Sequence, residues 1–260
     1  RYIVTPNSGP SKARNRGARE AQGEYLLILD SDVVLPAGYL RAVDDFLSIR
    51  PVDAFGGPDA AAPDFSVVQK AINYAMTSPL TTGGIRGGSA SALEQFKPRS
   101  FNLGCRRSVY EDLGGFDEGM RFGEDIDFSI RIFKGGYSCR LFPEAWVWHK
   151  RRTDFKKFFK QVYNSGIARI NLYKKYPDSL KMVHLLPTVF TLGCLGLVLL
   201  SLVWLNVLPM SLILLYSLLI FIDASFQNKS VKIGFLAVIA SFVQLFGYGL
   251  GFIKAWYKRC

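Results

Sequence analysis

The chain has 260 residues, of which 49% are hydrophobic, and a formal net charge of +11. Its apolar residues concentrate in the last third, and the segment from Lys150 to Lys181 carries much of the positive charge. A basic block beside apolar spans favours anionic lipid head groups as partner, and the absence of any nucleic-acid-binding motif argues against nucleic acid. The scattered cysteines (Cys105, Cys139, Cys194, Cys260) lack metal-ligand spacing, which favours reduced thiols in a cytoplasmic setting.

The first predicted elements are a strand over Tyr2 to Thr5 and a helix that Ser11 caps and that runs to Gln22. Arg14 and Asn15 fall in the first turn of this helix, where the backbone dipole attracts anions. An exposed basic helix without a ligand would have the same pattern.

A buried strand over Leu26 to Leu29 ends in two carboxylates, Asp30 and Asp32. An apolar run of this kind is typical of strands in parallel α/β sheets, whose ligands bind beyond the carboxyl ends. Because side chains alternate along a strand, the two acids point the same way. Their mutual repulsion is relieved by a divalent cation with oxygen ligands. A solvated strand end followed by a turn at Pro36 is the alternative.

The central part of the chain alternates helical and strand patterns. Helices are predicted from Pro36 to Ile49, Phe65 to Met76, Ser108 to Leu113 and Glu124 to Lys134, and strands over Asp53 to Gly57, Ser100 to Arg107 and Tyr137 to Phe142. Between them, Thr81 to Ser91 is a small-residue loop without the ending of a phosphate-binding loop, and we expect a mobile loop that borders the site.

Acidic residues open the helix that begins at Glu124. Glu124, Asp125 and Asp127 lie in its first turn, where acids also simply complement the helix dipole. One carboxylate in such a place has the chemistry of a general base.

Four motifs now stand in order along the chain. They are Ser11-Lys-Ala-Arg-Asn-Arg-Gly17 with Gly23, Asp30-Ser-Asp32, Gly114-Gly-Phe-Asp-Glu118 and Gly123-Glu-Asp-Ile-Asp127. Together they resemble the inverting family 2 glycosyltransferases of GT-A fold over residues 1 to 150. The resemblance implies an α/β fold, with a nucleotide-diphospho-sugar transferase sheet flanked by helices. It also implies a nucleotide-sugar donor and a divalent metal, Mn²⁺ or Mg²⁺.

The resemblance also implies roles for individual residues. The donor-binding residues would be Arg14, Asn15, Asp30, Ser31 and Asp32. The metal ligands would be Asp30, Asp32 and His149, although a lone His is often a surface or core residue. Asp125 would be the catalytic base, supported by Glu124. The acceptor would be lined by Asn102, Gly104, Phe116 and Asp117, although Phe116 could instead fill the core.

The family's first strand and its nucleobase-contacting acid have no counterpart here, so we expect an N-terminally incomplete chain. Two rival functions stay open for this reason. One is a catalytically inactive membrane component that retains the fold, and the other is a metal-dependent phosphotransferase or hydrolase that uses the same Asp pair.

Residues 151–183 read as a basic amphipathic linker helix at the membrane interface, and residues 184–260 as a transmembrane region. Its spans are predicted at about 184–206, 207–226 and 232–253. Basic residues before the first span favour a cytoplasmic catalytic part in the cell membrane. Three spans would place Lys254 and Lys258 outside, so the third segment is re-entrant or the charge bias is too small to decide. We therefore expect an enzyme that moves one sugar to a cell-surface glycan or lipid-linked acceptor.

Overall fold

The computed structural model describes residues 2–62, 64–82 and 96–258. The helices are α1 Pro10–Glu20, α2 Tyr39–Ile49, α3 Val67–Thr77, α4 Pro79–Thr82, α5 Arg107–Asp112, α6 Glu124–Lys134, α7 Phe155–Lys175, α8 Leu186–Val203, α9 Leu208–Asn228 and α10 Val231–Tyr257. The strands are β1 Tyr25–Leu29, β2 Val33–Val34, β3 Ala54–Gly56, β4 Asp59–Ala60, β5 Asn102–Arg106, β6 Cys139–Leu141 and β7 Val147–His149.

The chain divides into two compact units. The first comprises Arg1–Ala62 with Ala90–Lys150, and the second comprises Pro63–Ser89 with Arg151–Cys260. The second unit therefore takes in α3 and α4, which the sequence analysis placed inside the segment 1–150. Most of the predicted mobile loop over Thr81 to Ser91 lies outside the described residues.

The first unit contains two mixed sheets. One has the strand order β1-β5-β3-β6, and the other has the order β2-β7-β4. Side chains of β1 alternate between two apolar clusters: Leu26 and Ile28 pack with helices α5 and α6, whereas Leu27 and Leu29 pack with residues of α2. The prediction that β1 is covered on both faces is thus confirmed, and this explains its unbroken run of apolar residues.

The parallel pairing predicted for β1 is wrong. Within the described residues β1 pairs with β5 alone, and that pairing is antiparallel, with Leu27 opposite Gly104. Parallel pairing occurs instead between β3 and β6 and between β4 and β7. An apolar run reports burial on both faces, and burial alone does not distinguish the two strand directions.

The N-terminal segment also differs from its prediction. Tyr2 to Thr5 does not form a strand, and Tyr2 and Val4 are exposed, because none of the described strands lies beside them to share backbone hydrogen bonds. Helix α1 is capped by Gly9 rather than Ser11, since Pro10 takes the first helical position. The Ser11 hydroxyl instead donates a 3.5 Å hydrogen bond to the carbonyl of Met120.

Close backbone approach fixes the turn that leads from β3 to β4. A Cβ built on Gly57 would lie 1.7 Å from the carbonyl oxygen of Ala145, so only glycine fits there. This contact holds the start of β4 against the turn that precedes β7 and sets the place of Asp59 beside His149.

The second unit is helical. Its core joins α3, α7, α9 and α10 through Ile72, Phe158, Ile220 and Ala237. Helices α8, α9 and α10 are each long and apolar enough to cross a membrane. Helix α9 runs to Asn228, slightly beyond the span predicted at about 207–226, and Asp223 inside the helix accepts a hydrogen bond from the Tyr74 hydroxyl at 2.5 Å.

The first unit has two thiols outside any disulfide: Cys105 is buried and Cys139 is half-buried. Burial raises the pKa of Cys105 and of Cys139 to about 12 from an ordinary value of 9.0. The folded state therefore keeps these protons, so the free energy of unfolding is unaffected below about pH 9 and falls as pH rises toward 12. We expect neither thiol to react with iodoacetamide at pH 8 before denaturation and both to react afterwards. Mass spectrometry of peptides containing each cysteine would check this, and equal labelling before and after would contradict it.

Candidate active site

The two acids of the Asp-Ser-Asp motif occupy the short connection between β1 and β2. The amide of Val33 donates to the carbonyl of Asp30 at 3.2 Å, which closes the turn. Val33 is paired with His149, the last residue of β7. This pairing brings together ligand atoms of Asp30, Asp32 and His149, all within 4.8 Å of one another. The three predicted metal ligands thus form one cluster, while Ser31 lies exposed at the tip of the turn.

The imidazole of His149 lies between two carboxylates. Its Nε2 is 3.5 Å from Asp32, and its Nδ1 is 3.4 Å from Asp59. The ring stacks on Phe101, with 4.8 Å between the ring centroids. Parallel pairing of β4 with β7 sets Asp59 opposite Val147 and so fixes its carboxylate on the Nδ1 side.

This cluster fits a divalent cation. Two carboxylates and one imidazole are a donor set suited to Mn²⁺ or Mg²⁺. The Nδ1 atom of His149 is buried and makes no hydrogen bond within the described residues, its approach to Asp59 being longer than a normal bond. If the distance between Nδ1 and Asp59 were slightly shorter, Nδ1–H would donate a hydrogen bond to Asp59. The Nε2 lone pair would then be available to bind a cation on the Asp32 side.

Arg14 connects this cluster to the acidic helix α6. Its guanidinium contacts Asp30 at 2.7 Å and Glu124 at 2.8 Å, and it lies 5.3 Å above the ring of Phe116. Burial alone would lower the pKa of Arg14, but the hydrogen bonds and charges of Asp30 and Glu124 outweigh it and raise that pKa. Asp30, a predicted donor-binding residue, and Glu124, a predicted catalytic residue, therefore share Arg14 as a partner.

Asp125 is held by two groups. One carboxylate oxygen contacts Nε of Arg99 at 2.7 Å, and the other accepts from the amide of Ile126 at 2.8 Å. Its side chain is only 10% exposed, whereas Arg99 is 41% exposed. The sequence analysis missed Arg99, because an arginine in an irregular segment shows no periodicity or motif.

The third acid of α6 has a different environment. Asp127 is fully buried and forms an ion pair with Arg131 at 2.9 Å. Arg131 also donates to the carbonyls of Leu113 and Gly115. Asp127 therefore fixes the turn that follows α5, a structural role distinct from that of Asp125.

Asn15 faces the protein interior. Its amide donates to the carbonyl of Phe116 at 2.9 Å and to Glu118 at 3.0 Å. Its oxygen accepts from the Tyr110 hydroxyl at 2.6 Å, and burial raises the pKa of that tyrosine to about 12. These bonds tie α1 to the Gly114-Gly115 turn, and the contact of Asn15 with a nucleotide-sugar donor stays a prediction.

The residues predicted to line the acceptor are mostly internal. Asn102 is 1% exposed and bonds to Tyr39 and to the carbonyl of Ala145, and burial raises the pKa of Tyr39 to about 12. Gly104 lies beneath the ring of Phe55, where a Cβ would be 2.0 Å from that ring. Phe116 is 1% exposed and packs on Phe128, with 5.1 Å between the ring centroids. Asn102 and Phe116 are thus buried, and the contact of these residues with an acceptor stays a prediction.

Asp117 is more accessible. It lines a cleft of about 440 Å³ together with Asn15, Phe116 and residues of α1 and α5. Its carboxylate accepts from the amide of Gly119 at 2.8 Å. None of the metal-cluster residues lines this cleft, so Asp117 belongs to a different surface of the unit.

The first part of the chain is similar to known proteins. Residues 1–120 match the family model for glycosyl transferase family 2. A pre-mycofactocin glycosyltransferase of Mycobacterium tuberculosis is 28% identical over 172 residues, which cover 66% of this chain and 36% of that protein. Glycosyltransferase AglE of Haloferax volcanii is 24% identical over 207 residues, which cover 74% of this chain and 61% of that one. The chain thus spans about a third of the mycobacterial relative.

A solved structure shows the same architecture. The mannosyltransferase PcManGT from Pyrobaculum calidifontis, in complex with GDP-Man and Mn²⁺, superposes with a TM-score of 0.56 and 17% identity. The superposition covers 97% of this chain and 68% of that one. It confirms the predicted fold class, a GT-A sheet flanked by helices and followed by apolar helices. Over its residues 1–120, the chain is therefore similar to glycosyl transferase family 2.

Proposed function

We propose that the protein transfers a single sugar, with inversion, from a nucleotide-sugar donor to a glycan or lipid-linked acceptor at the cytoplasmic face of the cell membrane. One observation carries the proposal: the cation-binding cluster of Asp30, Asp32 and His149 is joined through Arg14 to the helix that bears Asp125. The family match and the GDP-Man and Mn²⁺ held by PcManGT support it.

In this proposal, Asp30, Asp32 and His149 would hold a divalent cation, Mn²⁺ or Mg²⁺. The chemistry such a cation would supply there is charge neutralisation for a departing nucleoside diphosphate. Arg14 lies beside the same cluster with its positive charge shared between Asp30 and Glu124. It orients Glu124 and adds a cation on the donor side of the site.

Asp125 acts as the general base. It takes the proton of an acceptor hydroxyl while that oxygen forms a bond to the anomeric carbon. The bond from the anomeric carbon to the diphosphate oxygen breaks on the opposite face, and the electron pair leaves with the diphosphate. Arg99 covers Asp125 from the solvent side, so the acceptor hydroxyl replaces or joins Arg99 at the carboxylate.

A membrane-bound acceptor follows from the second unit. Most of the large apolar side chains of α8 and α9 are exposed, Leu195, Leu202 and Leu214 among them. Such helices hold the protein at a bilayer, and a lipid-linked acceptor would share that surface. The acceptor would then be confined to the same membrane as the protein.

Asp59 gives a prediction on how His149 is oriented. Asp59→Ala should weaken Mn²⁺ affinity about 10–100-fold, because His149 loses the carboxylate that holds its Nδ1 side. Asp59→Asn should retain most of the affinity, since the amide oxygen still accepts from Nδ1–H. Electron paramagnetic resonance of free Mn²⁺ measures both without any sugar nucleotide. Wild-type Mn²⁺ affinity in both variants would show that Asp59 does not orient His149.

The function itself is tested with membranes from cells that express the protein. They are incubated with a panel of radiolabelled sugar nucleotides, with and without Mn²⁺, and the lipid extract and glycan fraction are counted. We expect one donor to label one of these fractions only when Mn²⁺ is present. Labelling that is equally strong in membranes carrying Asp32→Ala would contradict the proposal.

Two other outcomes correspond to the rival functions. If no donor is used and Asp32→Ala leaves the cellular phenotype unchanged, the chain is an inactive membrane component. If a phosphate ester is hydrolysed without any sugar nucleotide, the same acids serve a phosphotransferase or hydrolase.

A further inference from the structure

The three long apolar helices are not alike. In the most apolar windows of α8 and α9, 11% of the residues are buried inside the protein, as expected of helices surrounded by lipid. In α10 the corresponding share is 44%. By length and composition, all three helices could cross a membrane. The larger buried share of α10 therefore depends on the helices that pack against it.

Helix α7 covers the C-terminal half of α10 at backbone distance. A Cβ on Gly251 would lie 2.0 Å from the carbonyl oxygen of Tyr163, and one on Gly166 would lie 2.2 Å from the carbonyl oxygen of Tyr248. Small residues permit this approach. The contact continues to the ends of both helices, where the rings of Tyr173 and Trp256 stack at 5.9 Å. The two helices therefore run side by side in the same direction.

Helix α7 is too polar for the hydrocarbon region. Five of its lysines are exposed: Lys156, Lys157, Lys160, Lys174 and Lys175. These lysines lie at both ends of α7, and the helix is not among those long and apolar enough to cross a membrane, so we place α7 outside the hydrocarbon. Because α10 packs against α7 from Gly247 to its last turn, this half of α10 stays outside as well.

The opposite side of α10 is apolar. At 3.6 residues per turn, Phe235, Ile239, Phe246 and Leu250 fall on one stripe, away from the glycines that meet α7. Phe190 of α8 contacts this stripe, with its ring centroid 5.8 Å from that of Phe246, while Phe235, Ile239 and Leu250 are exposed. Helix α10 therefore separates the basic helix α7 from the apolar side on which α8 lies.

Helices α8 and α9 form a hairpin. They contact α10 near the end of the hairpin that is opposite to its connecting turn. The contacts come from the first turns of α8, where the Thr191 hydroxyl donates to the carbonyl of Leu245 at 3.4 Å, and from the second half of α9, where a Cβ on Gly234 would meet Ser225. The hairpin tip is free of such cover, and Leu205 there is 93% exposed. No charged residue occurs between Leu185 and Ile222.

We propose that α8 and α9 alone cross the bilayer, as a hairpin, and that α10 lies with α7 along the interface at the base of that hairpin. The bilayer surface is then the partner of the α7–α10 pair: the apolar stripe of α10 faces the acyl chains, and the exposed lysines of α7 meet anionic head groups. This arrangement places Lys181, Lys229, Lys254 and Lys258 on the same face of the membrane. It agrees with the rule that basic residues beside the spans stay on the cytoplasmic side, which three spans would violate. The inference rests on the proposed membrane location and not on the proposed sugar transfer.

The test introduces one cysteine at a time at an exposed position of the full chain, in which Cys105, Cys139, Cys194 and Cys260 are first replaced with alanine. Lys175→Cys marks the base, Leu205→Cys marks the tip, and Tyr257→Cys marks the end of α10. Right-side-out and inverted vesicles are treated with a membrane-impermeant maleimide. We expect Tyr257→Cys and Lys175→Cys to be labelled in the same vesicle orientation and Leu205→Cys only in the other.

Labelling of Tyr257→Cys together with Leu205→Cys would show that α10 crosses the bilayer and would overturn the proposal. Labelling of all three from one face would also overturn it, because the hairpin would then not cross. Extraction with alkaline carbonate is done in parallel. Release of the protein would refute the membrane location itself, and none of these outcomes depends on glycosyltransferase activity.

Discussion

Replacing Asp125 with asparagine should lower the rate of sugar transfer about 10²–10⁴-fold and leave donor binding intact. The amide cannot accept the proton of an acceptor hydroxyl, yet it keeps the shape of the side chain and its contact with the amide of Ile126. Single-turnover transfer measures the first quantity, and equilibrium binding of the donor measures the second. A variant that transfers sugar at the wild-type rate would rule out Asp125 as the base.

Asp127→Asn is the matched control, since it makes the same chemical change two residues further along α6. Asp127 is fully buried and paired with Arg131. Removing one partner of a buried pair costs about 3–5 kcal/mol, so the melting temperature should fall. Asp125→Asn should melt close to the wild type. The opposite pattern would mean that the two acids have exchanged roles.

Asp32→Ala should abolish transfer, by at least about a thousandfold, because a cation contributes several kcal/mol of charge stabilisation and each 1.4 kcal/mol is a factor of about ten. Asp45→Ala is its control: this acid is exposed on α2 and its loss changes the net charge equally. Transfer rates of both variants, measured over a range of Mn²⁺ concentrations, check the prediction. Activity of Asp32→Ala that high Mn²⁺ does not alter would contradict it.

The sequence allowed good prediction where local pattern determines structure. Helix α6 begins at Glu124 and ends at Lys134, as its acidic first turn and the following glycines indicated. The strand before Asp30 and the position of His149 at a strand end follow from short apolar runs that end in polar residues. The strand pattern predicted that Asp30 and Asp32 lie together, whereas the addition of His149 was expected only through the family resemblance, because no local pattern relates residues this far apart.

The direction in which each side chain points was the main feature of the site that the sequence did not predict. Asn15 and Phe116 were expected to meet ligands, but they form part of one buried network around the Gly114-Gly115 turn. A motif shared by a family includes residues that shape the site as well as residues that line it, and spacing alone cannot separate the two. Asp59 and Arg99 went unnoticed for the converse reason: each reaches the site through tertiary contacts and lies outside any motif.

For the apolar helices too, the sequence pattern does not predict which neighbours they pack against. Hydropathy treats α8, α9 and α10 alike. What distinguishes α10 is its neighbour α7, and the glycines that bring the two backbones together were only a weak signal in the sequence.

Binding of Mn²⁺ to the wild-type protein and to Asp32→Ala, followed by electron paramagnetic resonance in the absence of any sugar nucleotide, tests most directly whether Asp30, Asp32 and His149 form a cation site. We expect the wild type and Asp45→Ala to bind one ion per chain and Asp32→Ala to lose that binding. Equal Mn²⁺ binding by all three proteins would place the ion elsewhere and leave these side chains without the chemistry assigned to them.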